Sequence, residues 1–172
     1  MNIIVCVDKN WGIGCENALV FTIKEDMQHF KEITTGKVVV MGAKTFDSLP
    51  FPNGLPNRIN IVLSSKMKPC EGVIVCHGIE KLKEEIEKFD TEDVFIIGGE
   101  TIYKMFLPYV KTAYVTKVNE EKHVDTYFPN LEALSNWKNT EEKKHKTKQE
   151  FSFNVYENSK VKSIASLCEE KG

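Results

Sequence analysis

The sequence predicts an α/β domain: a central, mostly parallel sheet, an antiparallel strand at its C-terminal end, and helices on its faces. Apolar, β-branched runs without polar alternation suit strands covered on both faces. Amphipathic helical stretches fall between those runs, as parallel strands joined by crossovers require. The chain has 172 residues, 41% hydrophobic and 28% charged, enough for one domain with a substantial core and an argument against a second full domain.

The first strand run is Ile3, Ile4, Val5, Cys6 and Val7, and further runs cover residues 38–41, 59–63, 73–75 and 94–97. Helical patterns at residues 24–33, 79–89 and 101–107 separate them. Runs at 113–118 and 151–156 alternate more with polar residues and read as the antiparallel addition. Between them, the lysine-rich stretch 138–150 reads as a solvated hairpin, and strong periodicity ends at Glu157. The organisation is therefore a domain over 1–157 and a polar tail over 158–172.

Lysine plus arginine is 23 and aspartate plus glutamate 25, so the net charge of −2 offers no basic surface for nucleic acid or an anionic membrane. No apolar run approaches the roughly 18 residues of a bilayer span. Residues 1–4 carry no positive n-region, and the apolar stretch stops at Asp8, which disfavours secretion. The five cysteines are odd in number and form no C-x-x-C pair, and the four histidines are scattered. Neither a disulfide framework nor a metal site is expected, and a reducing cytoplasm is the natural setting.

On a sheet of this kind ligands bind beyond the carboxyl ends of the strands, so three loops carry the functional reading. Residues 8–17 leave a buried strand with Gly12 and Gly14 and read either as a mobile flap or as an ordinary glycine turn. Thr22-Ile23-Lys24-Glu25 matches a capping box and places a helix N-cap at Thr22. Within that helix Asp26, Phe30 and Ile33 lie at i, i+4 and i+7 with Met27 beside them, so a carboxylate interrupts an apolar stripe. Asp26 either turns to solvent near the helix start, or lies partly buried, where desolvation disfavours its ionised form until a ligand with N–H donors compensates. The third loop runs from an apolar strand through Gly98-Gly99 into a helix at Glu100. Backbone amides at such a junction outline an anion site, although the six-residue dinucleotide fingerprint is absent.

These features stand in an ordered set of segments: Val5-Cys6-Val7-Asp8-Lys9-Asn10-Trp11-Gly12-Ile13-Gly14, Glu25-Asp26-Met27-Gln28-His29-Phe30-Lys31, Val39-Val40-Met41-Gly42-Ala43-Lys44-Thr45-Phe46, Leu55-Pro56-Asn57-Arg58-Ile59-Asn60-Ile61-Val62-Leu63-Ser64, Ile96-Ile97-Gly98-Gly99-Glu100-Thr101-Ile102-Tyr103 and Asp125-Thr126-Tyr127-Phe128-Pro129. From Ile3 to about Glu157 the chain resembles the dihydrofolate reductase family, most closely its Gram-positive bacterial members. The resemblance implies the family's single-domain fold and reduction of 7,8-dihydrofolate to 5,6,7,8-tetrahydrofolate by NADPH. Antifolate inhibitors, a cytoplasmic setting and a monomeric state follow from it as well.

Residue by residue, the resemblance makes Asp26 the carboxylate that binds the pterin's 2-amino group and N3 and favours N5 protonation. Thr116 is its hydrogen-bond partner, and Tyr103 a tyrosine near nicotinamide and pterin. Val5, Cys6, Leu19, Met27, Phe30, Leu49, Leu55 and Ile97 wall the pterin and benzoyl pocket, each with plain core packing as the alternative. Arg58, the chain's only arginine, corresponds to the one that grips the glutamate-tail carboxylate. Cofactor contacts fall on Ile13, Gly14, Gly42, Lys44, Thr45, Ser64 and Ser65, and then on Gly98, Gly99, Glu100, Thr101 and Ile102. Lys44 and Lys66 are candidates for the 2′-phosphate, and Gly98-Gly99 for the family's cis peptide. Ala43 and Thr101 stand where many relatives carry arginine, which bears on the preference for NADPH over NADH, and the tryptophan common before the first helix is absent. A pyrimidine reductase of riboflavin synthesis, and a dinucleotide-binding protein without catalysis, are the competing readings.

Overall fold

The computed structural model describes residues 1–15, 18–19 and 22–167. In chain order its elements are β1 (Asn2–Val7), β2 (Gly12–Cys15), β3 (Ala18–Leu19), α1 (Lys24–Thr34), β4 (Val38–Gly42), α2 (Ala43–Ser48), β5 (Ile59–Leu63), β6 (Val73–Cys76), α3 (Ile79–Ile86), β7 (Val94–Gly98), α4 (Glu100–Phe106), β8 (Thr112–Val118), β9 (Thr126–Tyr127), β10 (Trp137–Lys146) and β11 (Glu150–Asn158). The main sheet has the order β10-β11-β8-β1-β7-β4-β5-β6. Its middle strands are apolar without alternation because both faces are covered: Val38, Val39, Val40 and Met41 are all buried.

Only β11 runs against the other strands of this sheet, being antiparallel to both β8 and β10. β8, which the alternating run at 113–118 assigned to the antiparallel addition, is parallel to β1 throughout. Its alternation has another cause: Ala113 and Val115 are buried while Tyr114 is partly exposed, so towards this side the sheet is less completely covered. The stretch 138–150 does form a hairpin, with β10 at the sheet edge and its lysines exposed, which blunts that edge against further pairing.

The expected cap at Thr22 does not form. Helix α1 starts one residue later, with Ile23 at the N-cap in an extended conformation and no side-chain cap bond. Ile23 is 5% exposed and packs with Val118 and Phe151. Burying such a side chain contributes about 1.5–3 kcal/mol, more than the roughly 1 kcal/mol of a typical cap, so burial sets the helix start. Helix α2 is too short for a periodic signal and was not expected. α3 ends at Ile86 rather than at residue 89, although Phe89 still packs on the core.

Beyond β11, the Lys162 amide donates to the Pro108 carbonyl at 2.9 Å and Lys83 Nζ to the Ala165 carbonyl at 3.0 Å. Leu167 is buried in the main core beside Ile164. Among the described residues no helix is long and apolar enough to cross a membrane.

Candidate functional site

Two groups of residues meet at the carboxyl ends of the central strands. The first is built around Asp26 in the first turn of α1, where the Thr116 hydroxyl of β8 donates to Asp26 Oδ1 at 2.5 Å. Thr116 is the register partner of Cys6 in β1, which sets the Cys6 thiol beside the same carboxylate. Burial pushes the Asp26 carboxyl above its ordinary range, opposed by the Thr116 hydrogen bond, the His29 charge and the Cys6 thiol in that order. Burial also drives the Cys6 thiol strongly upward, followed by the charge of Asp26 and the bond to it, so Cys6 stays a protonated donor and not a nucleophile.

Phe30, Leu49, Leu55 and Ile97 share one apolar cluster, together with Ile4 and Phe95. Val5 does not join them. Strand alternation turns it to the opposite face, into the cluster of Ile3, Val7 and Phe106, and Ile4 takes the face that faces Phe30. Met27 is 60% exposed, and the side chain of Leu19 lies outside the described residues.

The loop that carries Leu55 and Arg58 is fixed by Asn60, whose buried amide accepts from the Leu55 N–H at 2.9 Å and donates to the Leu55 carbonyl at 3.0 Å. Gly54, at φ +85°, is required there, since a Cβ would lie 2.6 Å from the Asn60 side chain. Arg58 Nε donates to Thr34 Oγ1 at 3.2 Å and Nη1 to the Pro56 carbonyl at 2.7 Å, and the guanidinium lies over the Phe30 ring at 5.9 Å. A guanidinium therefore sits at the C-terminal end of the helix that carries Asp26.

The second group is made of backbone. Gly42 ends β4, where a Cβ would approach Ile102 Cγ1 to 3.2 Å. The Gly98-Gly99 peptide is cis, as the resemblance implied, and Gly98 has φ +124°. A Cβ on Gly98 would lie 3.3 Å from the Tyr103 ring, and one on Gly99 3.5 Å from Thr45 Oγ1. The buried Tyr103 hydroxyl donates to the Ile4 carbonyl at 2.9 Å, which ties this junction to the strand next to Asp26. Burial raises the Tyr103 phenol, so that it remains a donor. Glu100 turns its carboxylate away, to Lys104 Nζ at 2.6 Å and the Tyr127 N–H at 3.2 Å.

From this junction a cleft of about 550 Å³ runs along Leu63, Ser64, Ser65, His77, Gly78, Thr101 and Ile102. Lys44 and Lys66 are exposed and absent from its lining, whereas His77 belongs to it. His77 is a single histidine in the turn between β6 and α3 with no motif around it, so the sequence alone assigns it no role.

The glycine loop after β1 is more fixed at its root than a mobile flap implies. Asp8 is buried and accepts through Oδ1 from the amides of Asn10 and Gly12, both at 2.8 Å. Trp11 is buried between Phe128 and Tyr156, and Ile13 is also in the core. The 125–129 segment explains itself here: β9 pairs with β2 at Gly12 and Gly14. The remainder of the expected flap, residues 16–17, lies outside the described residues.

The buried Asp26 carboxylate and the glycine junction thus lie at neighbouring strand ends of one sheet, the region where ligands of such sheets bind. The dihydrofolate reductase family model matches residues 1–159. The chain is 36% identical to the dihydrofolate reductase of Staphylococcus haemolyticus, over 91% of this chain and 95% of that protein. It is 35% identical to that of Bacillus subtilis, over 91% and 94% respectively. Among solved structures, dihydrofolate reductase from Enterococcus faecalis complexed with NADP(H) and RAB-propyl superposes with a TM-score of 0.79 at 28% identity, covering 91% of this chain and 95% of that one. The chain belongs to the dihydrofolate reductase family, which displaces the pyrimidine-reductase alternative.

Proposed function

We propose that Asp26 is the group that binds and orients the pterin in a chain that reduces 7,8-dihydrofolate with NADPH. The observation that carries this reading is the hydrogen bond from Thr116 to a carboxylate that burial holds above its usual range. Such a carboxylate gains most from a ligand presenting paired N–H donors, as the 2-amino group and N3 of a pterin do. Once ionised against the ring, it favours protonation at N5, with water as the proton source, and Asp26 itself delivers no proton. Thr116 holds the carboxylate in plane, and Phe30, Leu49, Leu55 and Ile97 exclude water around the ring. Arg58 receives the α-carboxylate of the glutamate tail through a guanidinium already held by Thr34 and Pro56.

The second group fits a dinucleotide. Its glycines let the ends of β4 and β7 pack closely onto the start of α4, whose backbone amides would face a pyrophosphate, and the cleft presents the Ser64 and Ser65 hydroxyls and the His77 imidazole. When bound, NADPH supplies the hydride that adds to C6 of the pterin. Ile13, Gly14, Gly42, Thr45 and residues 98–102 would hold it, with Lys44 and Lys66 reaching in from the surface. The free thiols Cys6, Cys70 and Cys76 support a cytoplasmic setting, and we assign the chain as a monomer open to antifolates at the Asp26 pocket.

The test follows near-ultraviolet NADPH absorbance with dihydrofolate, then with NADH, then with a 2,4-diaminopyrimidine. Rapid oxidation suppressed by the diaminopyrimidine is expected; NADPH binding without oxidation would leave a binding-only protein.

A further inference from the structure

We infer that His29 is a positioning residue for Asp26, acting through its stack on Phe153; the inference rests on the role of Asp26 proposed above. His29 follows Asp26 by three positions on α1, so the two side chains leave neighbouring points of one helix flank. The imidazole lies over the Phe153 ring with centroids 4.0 Å apart and 19° between planes. Phe153 is the register partner of Thr116, and Thr116 is the donor to Asp26. The first turns of α1 are thus tied twice to the same rung of the sheet, by Asp26 to Thr116 and by His29 to Phe153.

A second layer steadies the stack. Phe151 meets Phe153 edge-on at 5.4 Å, and His145 lies flat over Phe151 at 5.2 Å with 8° between planes. Among the described residues His145 Nε2 is buried without a hydrogen-bond partner, so ring packing holds that imidazole at this nitrogen. The surroundings explain why the stack matters. On this flank α1 stands off from β10 and β11 across a cleft of about 910 Å³, lined by Gln28, His29, Glu32, Tyr114, His145 and Phe153 among others. Ile23 anchors the start of the helix, and Phe30 and Ile33 pack into the cluster of Ile4 and Phe95 on the same face as Asp26. Beside this cleft the His29 ring, stacked on Phe153, adds a contact that resists rotation of α1 about its axis, and such rotation would swing the Asp26 carboxylate relative to the pterin.

The test compares His29→Ala, His29→Phe and Phe153→Leu in the full chain, with Asp26→Asn alongside. His29→Ala is expected to raise the dihydrofolate KM and lower the single-turnover hydride-transfer rate by about tenfold each, inside the roughly 10²-fold that a 1 Å misplacement can cost. The NADPH Kd should stay unchanged. His29→Phe, which keeps a flat ring, should restore both values, and Phe153→Leu should mimic His29→Ala, with the double variant no worse than either single one. Equal losses in dihydrofolate and NADPH binding, or no rescue by phenylalanine, would overturn the inference in favour of a merely structural role. Unchanged kinetics in His29→Ala while Asp26→Asn loses turnover would overturn it too, leaving the role of Asp26 intact.

Discussion

The Asp26 pocket and the glycine junction do opposite things with the same sheet ends. Around Asp26, chemistry is made from side chains: a hydroxyl, a thiol and a carboxylate brought together from β8, β1 and α1. At Gly42, Gly98 and Gly99 it is made by leaving side chains out, so that backbone from β4 and β7 packs closely against Ile102, Tyr103 and Thr45. One site works by charge held against its desolvation cost, the other by shape. A substitution at the first should therefore alter rates and proton affinities while sparing the fold, and one at the second should disturb geometry and cofactor binding together.

The largest effect that separates the two regions is expected for Asp26→Asn. Turnover should fall by about 10²-fold or more, the loss expected when a bound ring is no longer held in its reactive orientation, while circular dichroism stays native and NADPH binding is retained. Undiminished turnover in a folded variant would remove Asp26 from the mechanism. Thr116→Val, which removes the hydroxyl and keeps the β-branched shape, should weaken dihydrofolate binding by about tenfold or more, since hydrogen bonds to charged groups contribute roughly 1.5–3 kcal/mol. An unchanged dihydrofolate Kd by fluorescence titration would show that the carboxylate needs no such partner.

On the other side of the comparison, Gly98→Ala should cost about 1–3 kcal/mol of stability, because φ +124° is a conformation that alanine resists and its Cβ meets the Tyr103 ring at 3.3 Å. NADPH affinity should fall with it. A variant with parental melting temperature and NADPH Kd would break the shape argument. Smaller still, His77→Ala should weaken NADPH by about threefold and leave NADH untouched, in line with the roughly 0.5–1.5 kcal/mol that a single hydrogen bond contributes. If Lys44→Ala and Lys66→Ala produce that selective loss and His77→Ala does not, the surface lysines set the 2′-phosphate preference.

How legible each region was in the sequence follows from the same contrast. Apolar strand runs announce burial on two faces, so β1, β4, β5 and β7 could be read within a residue or two. The anomalous carboxylate in the stripe of α1 was visible for the same reason, as a polar residue where periodicity demands an apolar one. Facing direction was harder: Val5 and Ile4 are equally apolar, and only the pairing of β1 with its neighbours decides which one meets Phe30. The start of α1 escapes a local pattern because a cap at Thr22 competes with the burial of Ile23, a contact with residues almost a hundred or more positions away. His77 and His29 carried no signal at all. Each acquires its role from residues elsewhere in the chain, Phe153 in the case of His29 and the start of α4 across the cleft in the case of His77.

The smallest expected effect tests the electrostatic side of the contrast without any substrate. Burial raises the folded-state pKa of Asp26 above its unfolded value, against the partial relief from Thr116, His29 and Cys6. Between those two values the folded state binds more protons than the unfolded state, so stability contributed at this position falls as pH rises through the window and stays low above it. Replacing the carboxyl by the neutral amide removes that cost while leaving an oxygen for the Thr116 hydroxyl. Asp26→Asn should therefore melt higher than the parent at neutral pH, and the difference should shrink towards zero as pH is lowered to about 4, the ordinary aspartate range. A melting difference that is the same at both pH values, or a destabilised variant at neutral pH, would mean that the hydrogen bonds to Asp26 outweigh its burial, and that the site holds its charge ready-made before any pterin arrives.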